Sequence, residues 1–306
     1  MISAQDISKA ADLLLGGQLV AFPTETVYGL GALATDDNVV ARIYAAKGRP
    51  TFNPLISHVA DVEAAFALGE FTADALKLAA RFWPGPLTLV VPRWSTCDVS
   101  LLASAGLPSL AIRVPQHAVA LELLRAVGKP VVAPSANPSG RISPTTAQHV
   151  RDGLGDKVSM VLDGGPCSVG VESTVVSFLE SKAVLLRPGG LARQVIEDAL
   201  GVRLLDATGG AMHSPGQMES HYAPHAKLRL NAEAATKDEA YLGFGKFESA
   251  HNLSPSGDVV EAAANLFRML HELDAMQPEC IAVAPIPNAG LGEAINDRLK
   301  RAAAPR

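Results

Sequence analysis

Apolar residues at Ile7, Ala10, Ala11 and Leu14 recur at helical spacing, with Ser3 and Asp6 in capping-box positions ahead of them and Gly16 and Gly17 behind. A short apolar run from Leu19 to Phe22 then stops at Pro23 and gives way to Thr24, Glu25, Thr26 and Tyr28. This pattern predicts a strand that delivers a polar loop, in which Gly29 and Gly31 permit tight turns. Asp36 or Asp37 caps the next helix, whose apolar face is Val39, Val40, Ile43 and Tyr44, and Lys47 and Arg49 stand at its end before Pro50. Leu55 and Ile56 lead to His58 at the end of a second short strand.

The alternation continues. Residues 61 to 68 and 72 to 83 read as helices, and Leu87 to Val91 as a buried strand. Leu110 to Val114 is a strand, 116 to 127 a helix, and Val131 to Ala133 a strand running into Pro134, Ser135, Ala136 and Asn137. Ser143 followed by Pro144 reads as a helix start. Strands follow at 158 to 162, 174 to 178 and 184 to 186, then a closing helix at 191 to 200. The pattern disappears between 205 and 226, a glycine- and proline-rich stretch that reads as an ordered linker or long loop. Strands at 228 to 230, 241 to 244 and 281 to 284 then alternate with helices near 256 to 275 and 290 to 303, predicting a smaller second α/β domain. The division is residues 1–204, a linker at 205–226 that could act as a lid, and residues 227–306.

Composition changes this picture little. With 306 residues, 48% hydrophobic and 19% charged, the chain is an ordinary globular one of about two domains. A net charge of −5 is not the basic body of a protein that grips nucleic acid by many phosphate contacts. Cys97, Cys167 and Cys280 are odd in number and have no CxxC spacing, which argues against a disulfide framework and a zinc site. No signal-peptide pattern and no run of about 18 apolar residues is present, so a cytoplasmic protein that does not cross a membrane is expected.

The candidate chemistry is dispersed. Gly29, Gly31 and Ala34 fit GxGxxA, but PTET and two further residues separate them from the strand and the helix begins later, unlike a dinucleotide fingerprint. No Walker A loop or GxSxG elbow exists. His221 and His225 stand four apart, but Pro224 breaks the helix that would set both on one face for zinc. On residues alone, Lys47 and Arg49 read as cations complementing a helix C-terminus, His58 as a core histidine, and Ser173 and Thr174 as strand hydroxyls.

A set of separated motifs shifts that reading: PTETVYGLGA at 23–32, KGRP at 47–50, NPL at 53–55, SANPSG at 135–140, EST at 172–174, RPG at 187–189 and SPGQMESHYAP at 214–224. In this order they resemble the Sua5/YrdC family of threonylcarbamoyl-AMP synthases, in the long Sua5 form. The resemblance implies an α/β fold with a YrdC-like twisted open mixed sheet and flanking helices, plus a smaller Rossmann-like C-terminal domain. It implies an ATP site at Lys47, Arg49, Asn53, Ser109, Ser135, Asn137, Ser143 and Arg187, with one linker contact from His221 or Tyr222. It implies a threonine site at Thr26, His58, Arg113, Ser173 and the backbone of Ala133.

The implied activity joins L-threonine, bicarbonate and ATP into threonylcarbamoyl-AMP and pyrophosphate, for N6-threonylcarbamoyladenosine at position 37 of tRNA. Lys47 and Arg49, expected at a surface cleft, would carry the catalytic charge, with Mg2+ accompanying ATP and no protein metal ligands assigned. Glu25 and Glu172 could bind metal or stabilise loops. The product would pass to a downstream tRNA threonylcarbamoyl transferase, with little direct tRNA binding. An RNA-binding module and a carbamoyl-adenylate enzyme of hydrogenase maturation are the alternatives.

Overall fold

The computed structural model describes residues 2–207 and 220–305. Helix α1 (Ala4–Leu15) starts where the Ser3 hydroxyl accepts from the Asp6 amide and the Asp6 carboxylate accepts from the Ser3 amide, the capping box read from the sequence. Its buried face, Ile7, Ala10, Ala11 and Leu14, packs beside α5 (Ala118–Val127). Between them in sequence come β1 (Val20–Phe22), β2 (Gly29–Leu33), α2 (Asp37–Lys47), β3 (Ile56–His58), α3 (Val62–Phe66), α4 (Ala73–Phe82), β4 (Leu87–Pro92) and β5 (Ser109–Arg113). After α5 follow β6 (Val131–Val132), α6 (Ala147–Leu154), β7 (Met160–Val161), β8 (Thr174–Ser177), β9 (Val184–Arg187), α7 (Arg193–Leu200) and β10 (Leu205–Asp206).

Among the described residues these strands form one ten-stranded mixed sheet in the order β10-β9-β8-β4-β5-β3-β6-β2-β1-β7. Register sets the chemistry at one edge: β3 and β5 run parallel with His58 opposite Arg113, and antiparallel β8 and β9 bring Arg187 opposite Val175, next to Ser173 and Thr174. A second, all-parallel sheet joins β11 (Lys227–Arg229), β14 (Cys280–Val283), β12 (Glu239–Gly243) and β13 (His251–Asn252) in that order. Helices α8 (Val259–Ala275) and α9 (Gly292–Ala302) pack on each other beside it. The strand β13 carries too little apolar pattern to be read from sequence.

Three expectations change. Gly29 and Gly31 are strand residues, not turn residues: β2 pairs antiparallel with β1, and a side chain at Gly31 would sit 2.9 Å from the Phe22 ring and 3.0 Å from the Val20 carbonyl. Close packing therefore requires the glycine. Ser143 does not start a helix, because its hydroxyl is spent on Glu172 and the Pro144 carbonyl accepts from the Tyr28 amide. Thr146 caps α6 instead. In the expected linker, Leu205 and Asp206 pair with β9, residues 220–226 thread along the site described below, and 208–219 lie outside the described residues.

One core cluster underlies the large sheet, with Leu14, Phe22, Leu30, Ile43, Leu78 and Leu89 in it. A second is built on Leu266, Phe267, Ile281 and Ile295, and it also takes in Val27, Ile142, Val171 and Tyr222. Each such fully buried large side chain contributes about 1.5–3 kcal/mol, so the second half is joined to the first by shared apolar packing. Among the described residues no helix is long and apolar enough to cross a membrane. The three cysteines are free.

Candidate active site

Helix α2 ends at Lys47 because Gly48 takes a left-handed conformation (φ 62°) that few other residues adopt without strain. Val40, Ile43, Tyr44 and Lys47 share one buried stripe, so the lysine points inward. Its Nζ donates to the carbonyls of Ser135 and Asn137, at 2.6 and 2.5 Å. Arg49 follows: Nε donates to the Asn53 carbonyl at 3.3 Å and Nη2 to the Pro54 carbonyl at 3.1 Å. Both cations are buried, contrary to the surface cleft expected, and among the described residues neither has a carboxylate partner. Burial pushes Lys47 well below the ordinary lysine range, with Arg49 adding to the effect, and pushes Arg49 down to about 10.

A cavity opens beside them, lined by Arg49, His58, Arg113, Ser135, Glu172, Ser173, Arg187, His221 and Tyr222, with Val27, Ile56, Ala133 and Pro134 as its apolar walls. Arg113 Nη1 donates to the Thr26 hydroxyl at 2.9 Å and Nε to the Gly85 carbonyl at 3.3 Å, while Nη2 lies 2.7 Å from Glu25. His58 Nδ1 faces the Ile56 carbonyl at 3.1 Å, and burial followed by the nearby Arg113 charge holds its pKa down to about 3. It is a neutral ring at pH 7. Ser173 Oγ pairs with Thr88 Oγ1 at 2.7 Å, and Arg187 Nη2 donates to the Ser173 carbonyl at 2.8 Å. The Ala133 amide is spent on the Ile56 carbonyl.

Among the described residues, several buried polar atoms at or beside the cavity have no hydrogen-bond partner: both side-chain atoms of Asn53, Oδ1 of Asn137, Nδ1 of His221 and the Tyr222 hydroxyl. An unmet buried polar group costs about 1–3 kcal/mol, and so many in one place are what a polar ligand would satisfy. Of the residues implied by the resemblance, fourteen of fifteen either line this cavity or bond to a residue or backbone group beside it. Ser143 joins through Glu172, whose Oε1 it meets at 2.5 Å. Asn53 joins through its carbonyl on Arg49. Ser109 does not: it opens β5, four residues and about 13 Å from Arg113 at the other end.

The two carboxylates left open by the sequence are engaged by protein. Glu25 pairs with Arg113 and accepts from the Gln116 amide at 3.1 Å. Glu172 accepts from Ser143 and from Arg298 of α9, at 2.5 and 3.0 Å. Burial opposes its ionisation, but Arg298 and then Arg187 outweigh that and hold its pKa below the ordinary value. Among the described residues no group of three His, Cys, Asp or Glu could hold a metal ion. This donor set does not fit a resident Mg2+. Arg298 had one sequence signal, a charge on the apolar stripe of Ile295, Leu299 and Ala302.

Comparison with known proteins gives the same direction. A family model described as "Telomere recombination" (Sua5, YciO, YrdC) matches residues 12–189, and one described as "Threonylcarbamoyl-AMP synthase, C-terminal domain" matches 191–304. A threonylcarbamoyl-AMP synthase of Pyrococcus abyssi is 42% identical, over 96% of this chain and 92% of the relative. One from Bacillus subtilis is 38% identical, over 98% and 93%. The crystal structure of P. abyssi Sua5 complexed with L-threonine superposes with a TM-score of 0.92 at 38% identity, covering 99% of this chain and 95% of that one.

Proposed function

This chain belongs to the Sua5/YrdC family of threonylcarbamoyl-AMP synthases, and from that premise we propose that its buried cavity joins L-threonine, bicarbonate and ATP into threonylcarbamoyl-AMP and pyrophosphate. The observation that carries the assignment to this cavity is the burial of Lys47 and Arg49 on carbonyl oxygens, with no carboxylate ion pair among the described residues. Two buried cations without carboxylates are costly unless an anion answers them, and a triphosphate is such an anion.

Threonine's amine and bicarbonate combine with loss of water to a carbamate. A carbamate oxygen then bonds to the α-phosphorus as the bond to the pyrophosphate oxygen breaks, and pyrophosphate leaves. No covalent enzyme intermediate is needed, so the residues position groups and stabilise charge. Lys47, Arg49 and Arg187 face the phosphates, with Asn53, Ser135, Asn137 and Ser143 placing the rest of the nucleotide. Arg113 takes the threonine carboxylate, while Thr26, the neutral His58, Ser173 and the wall at Ala133 surround the amino acid. Ser109 stands outside this scheme. Mg2+ would enter with ATP and supply charge neutralisation on the phosphates, because Glu25 and Glu172 are committed elsewhere. The product, a mixed anhydride, would serve a downstream tRNA-modifying transferase, and a buried site shields it from water.

The test is pyrophosphate release from ATP with threonine and bicarbonate omitted in turn. Release should need both. Turnover that ignores threonine, or that needs carbamoyl phosphate instead, refutes the assignment.

A further inference from the structure

Arg298 sits on α9, in the half of the chain with no other assigned chemistry, yet its side chain is 1% exposed and reaches the cavity wall. Nε donates to Glu172 Oε2 at 3.0 Å, and Nη1 donates to the Pro188 carbonyl at 2.6 Å and to Asp297 Oδ2 at 3.0 Å. The guanidinium carbon lies 5.3 Å from the centre of the Tyr222 ring, within reach of a cation–π contact. Glu172 is the one carboxylate among the described residues lining the cavity, and its other oxygen is held by Ser143.

We propose that Arg298 is a positioning residue through which the C-terminal half completes the nucleotide site: it neutralises Glu172 and fixes that carboxylate on Ser143. The proposal rests on the reading of the cavity as an ATP site. A polyanion entering beside Arg187 would otherwise meet an uncompensated buried carboxylate, which repels it and draws off Arg187. With Arg298 in place, one oxygen of Glu172 is tied to a cation and the other orients a hydroxyl, so the carboxylate does not compete with phosphate for the Lys47 and Arg49 charges. The same guanidinium lies against Tyr222, whose ring also stacks on Phe267 of α8 at 5.7 Å. The C-terminal half thus supports the cavity through one charge and one aromatic contact. Sequence distance hides this, since Arg298 stands 126 residues from Glu172.

The experiment measures ATP and threonine affinity by calorimetry, alongside turnover and thermal unfolding, in full-length wild type, Arg298→Met, Arg298→Lys and Arg298→Met/Glu172→Gln. Arg298→Met should weaken ATP binding about tenfold or more while threonine affinity moves less than about threefold, since the loss acts on the phosphate side. Arg298→Lys, a point charge without the planar fork, should fall between. Removing the stranded carboxylate in the double variant should bring ATP affinity back to within about threefold of wild type. A merely structural arginine would lower the unfolding temperature without this selectivity or rescue. A folded Arg298→Met that binds ATP like wild type, or a double variant no better than the single, overturns the proposal. Should Arg298→Met not fold, Arg298→Lys decides, because unchanged ATP affinity there also overturns it. Affinity is read apart from turnover, so a wild type that binds ATP but makes no threonylcarbamoyl-AMP would refute the proposed reaction and not the role of Arg298.

Discussion

Arg113 Nη2 lies 2.7 Å from Glu25 Oε1, and both side chains are almost wholly buried. The pair answers what Glu25 does inside the PTETVYGLGA motif: it fixes the arginine. Nε on Gly85 and Nη1 on Thr26 commit two of the five guanidinium N–H groups, while Nη2, beside Glu25, makes no hydrogen bond among the described residues. Nη1 keeps one N–H and Nη2 both, enough for a bidentate carboxylate.

Arg113→Lys should therefore raise the KM for threonine about tenfold or more and that for ATP less than about threefold, because an ammonium cannot hold Glu25, Thr26 and a carboxylate together. Steady-state kinetics with each substrate varied in turn checks this. Equal effects on both substrates would take Arg113 out of the threonine site.

Lys47→Met separates stability from binding. The change leaves the Asn137 carbonyl unmet, at about 1–3 kcal/mol, while the Ser135 carbonyl keeps the Asn137 amide, and it also removes a buried cation that burial already disfavours. A folded protein is expected. In wild type, ATP at about 100 times its Kd stabilises by about 2.7 kcal/mol; in Lys47→Met that rise in unfolding temperature should be lost. Thermal unfolding with and without ATP reads it directly, and an intact ATP response would place the phosphates elsewhere.

Much of this arrangement was legible because the chemistry follows strand ends. His58, Arg113 and Arg187 each close a short apolar run, and the runs became strands with those residues at their ends. Burial was not legible. Lys47 read as a helix-terminal cation, since nothing in the sequence says that carbonyls 88 and 90 residues away will meet it. Gly29 and Gly31 read as turn residues because a glycine demanded by close packing, against the Ala133 side chain and the Phe22 ring, looks the same in sequence as one demanded by a turn. Ser143-Pro144 has the form of a helix start, and only the distant Glu172 diverts the serine.

A stacked histidine pair gives a pH prediction. His149 of α6 and His271 of α8 lie 3.9 Å apart at 24°, with His271 Nε2 facing the Ser143 carbonyl at 3.2 Å. Burial, then the facing His271, pushes His149 down to about 4, and burial lowers His271 as well. Asp152, Asp274 and Arg268 are the charged groups that face the pair. A histidine with a lowered folded pKa binds fewer protons folded than unfolded, so its stability is fully present above the unfolded value of about 6.5 and is lost as pH falls toward 4. The unfolding temperature should drop across that window in wild type and drop less in His149→Phe, which keeps a ring but cannot titrate. Parallel curves for the two proteins would assign the acid sensitivity to other groups.

The free space inside the cavity is about 40 Å³, room for roughly three waters and far short of a nucleotide. His221 and Tyr222 form part of its wall, edge to face at 4.0 Å. Tyr222 is held at φ 63°, a left-handed conformation that costs a bulky residue about 1–3 kcal/mol, and neither its hydroxyl nor His221 Nδ1 has a hydrogen-bond partner among the described residues. The segment is pinned around that strain: the His221 amide donates to the Arg301 carbonyl, the Ala223 amide to Gly140, and the His225 and Ala226 amides to Asp274. A lid that closed over ATP would show slower amide exchange on ATP binding. A cavity this small with those two rings in its wall favours the reverse order, in which ATP makes room by displacing the rings and the strained backbone relaxes. Exchange at 221–223 should therefore quicken with a non-hydrolysable ATP analogue, while the His225 and Ala226 amides, anchored on Asp274 outside the cavity, stay protected. Threonine alone, far smaller, should leave all of them unchanged. If the analogue binds and exchange at 221–223 slows instead, the rings stay and the nucleotide makes its room by displacing other walls of the cavity.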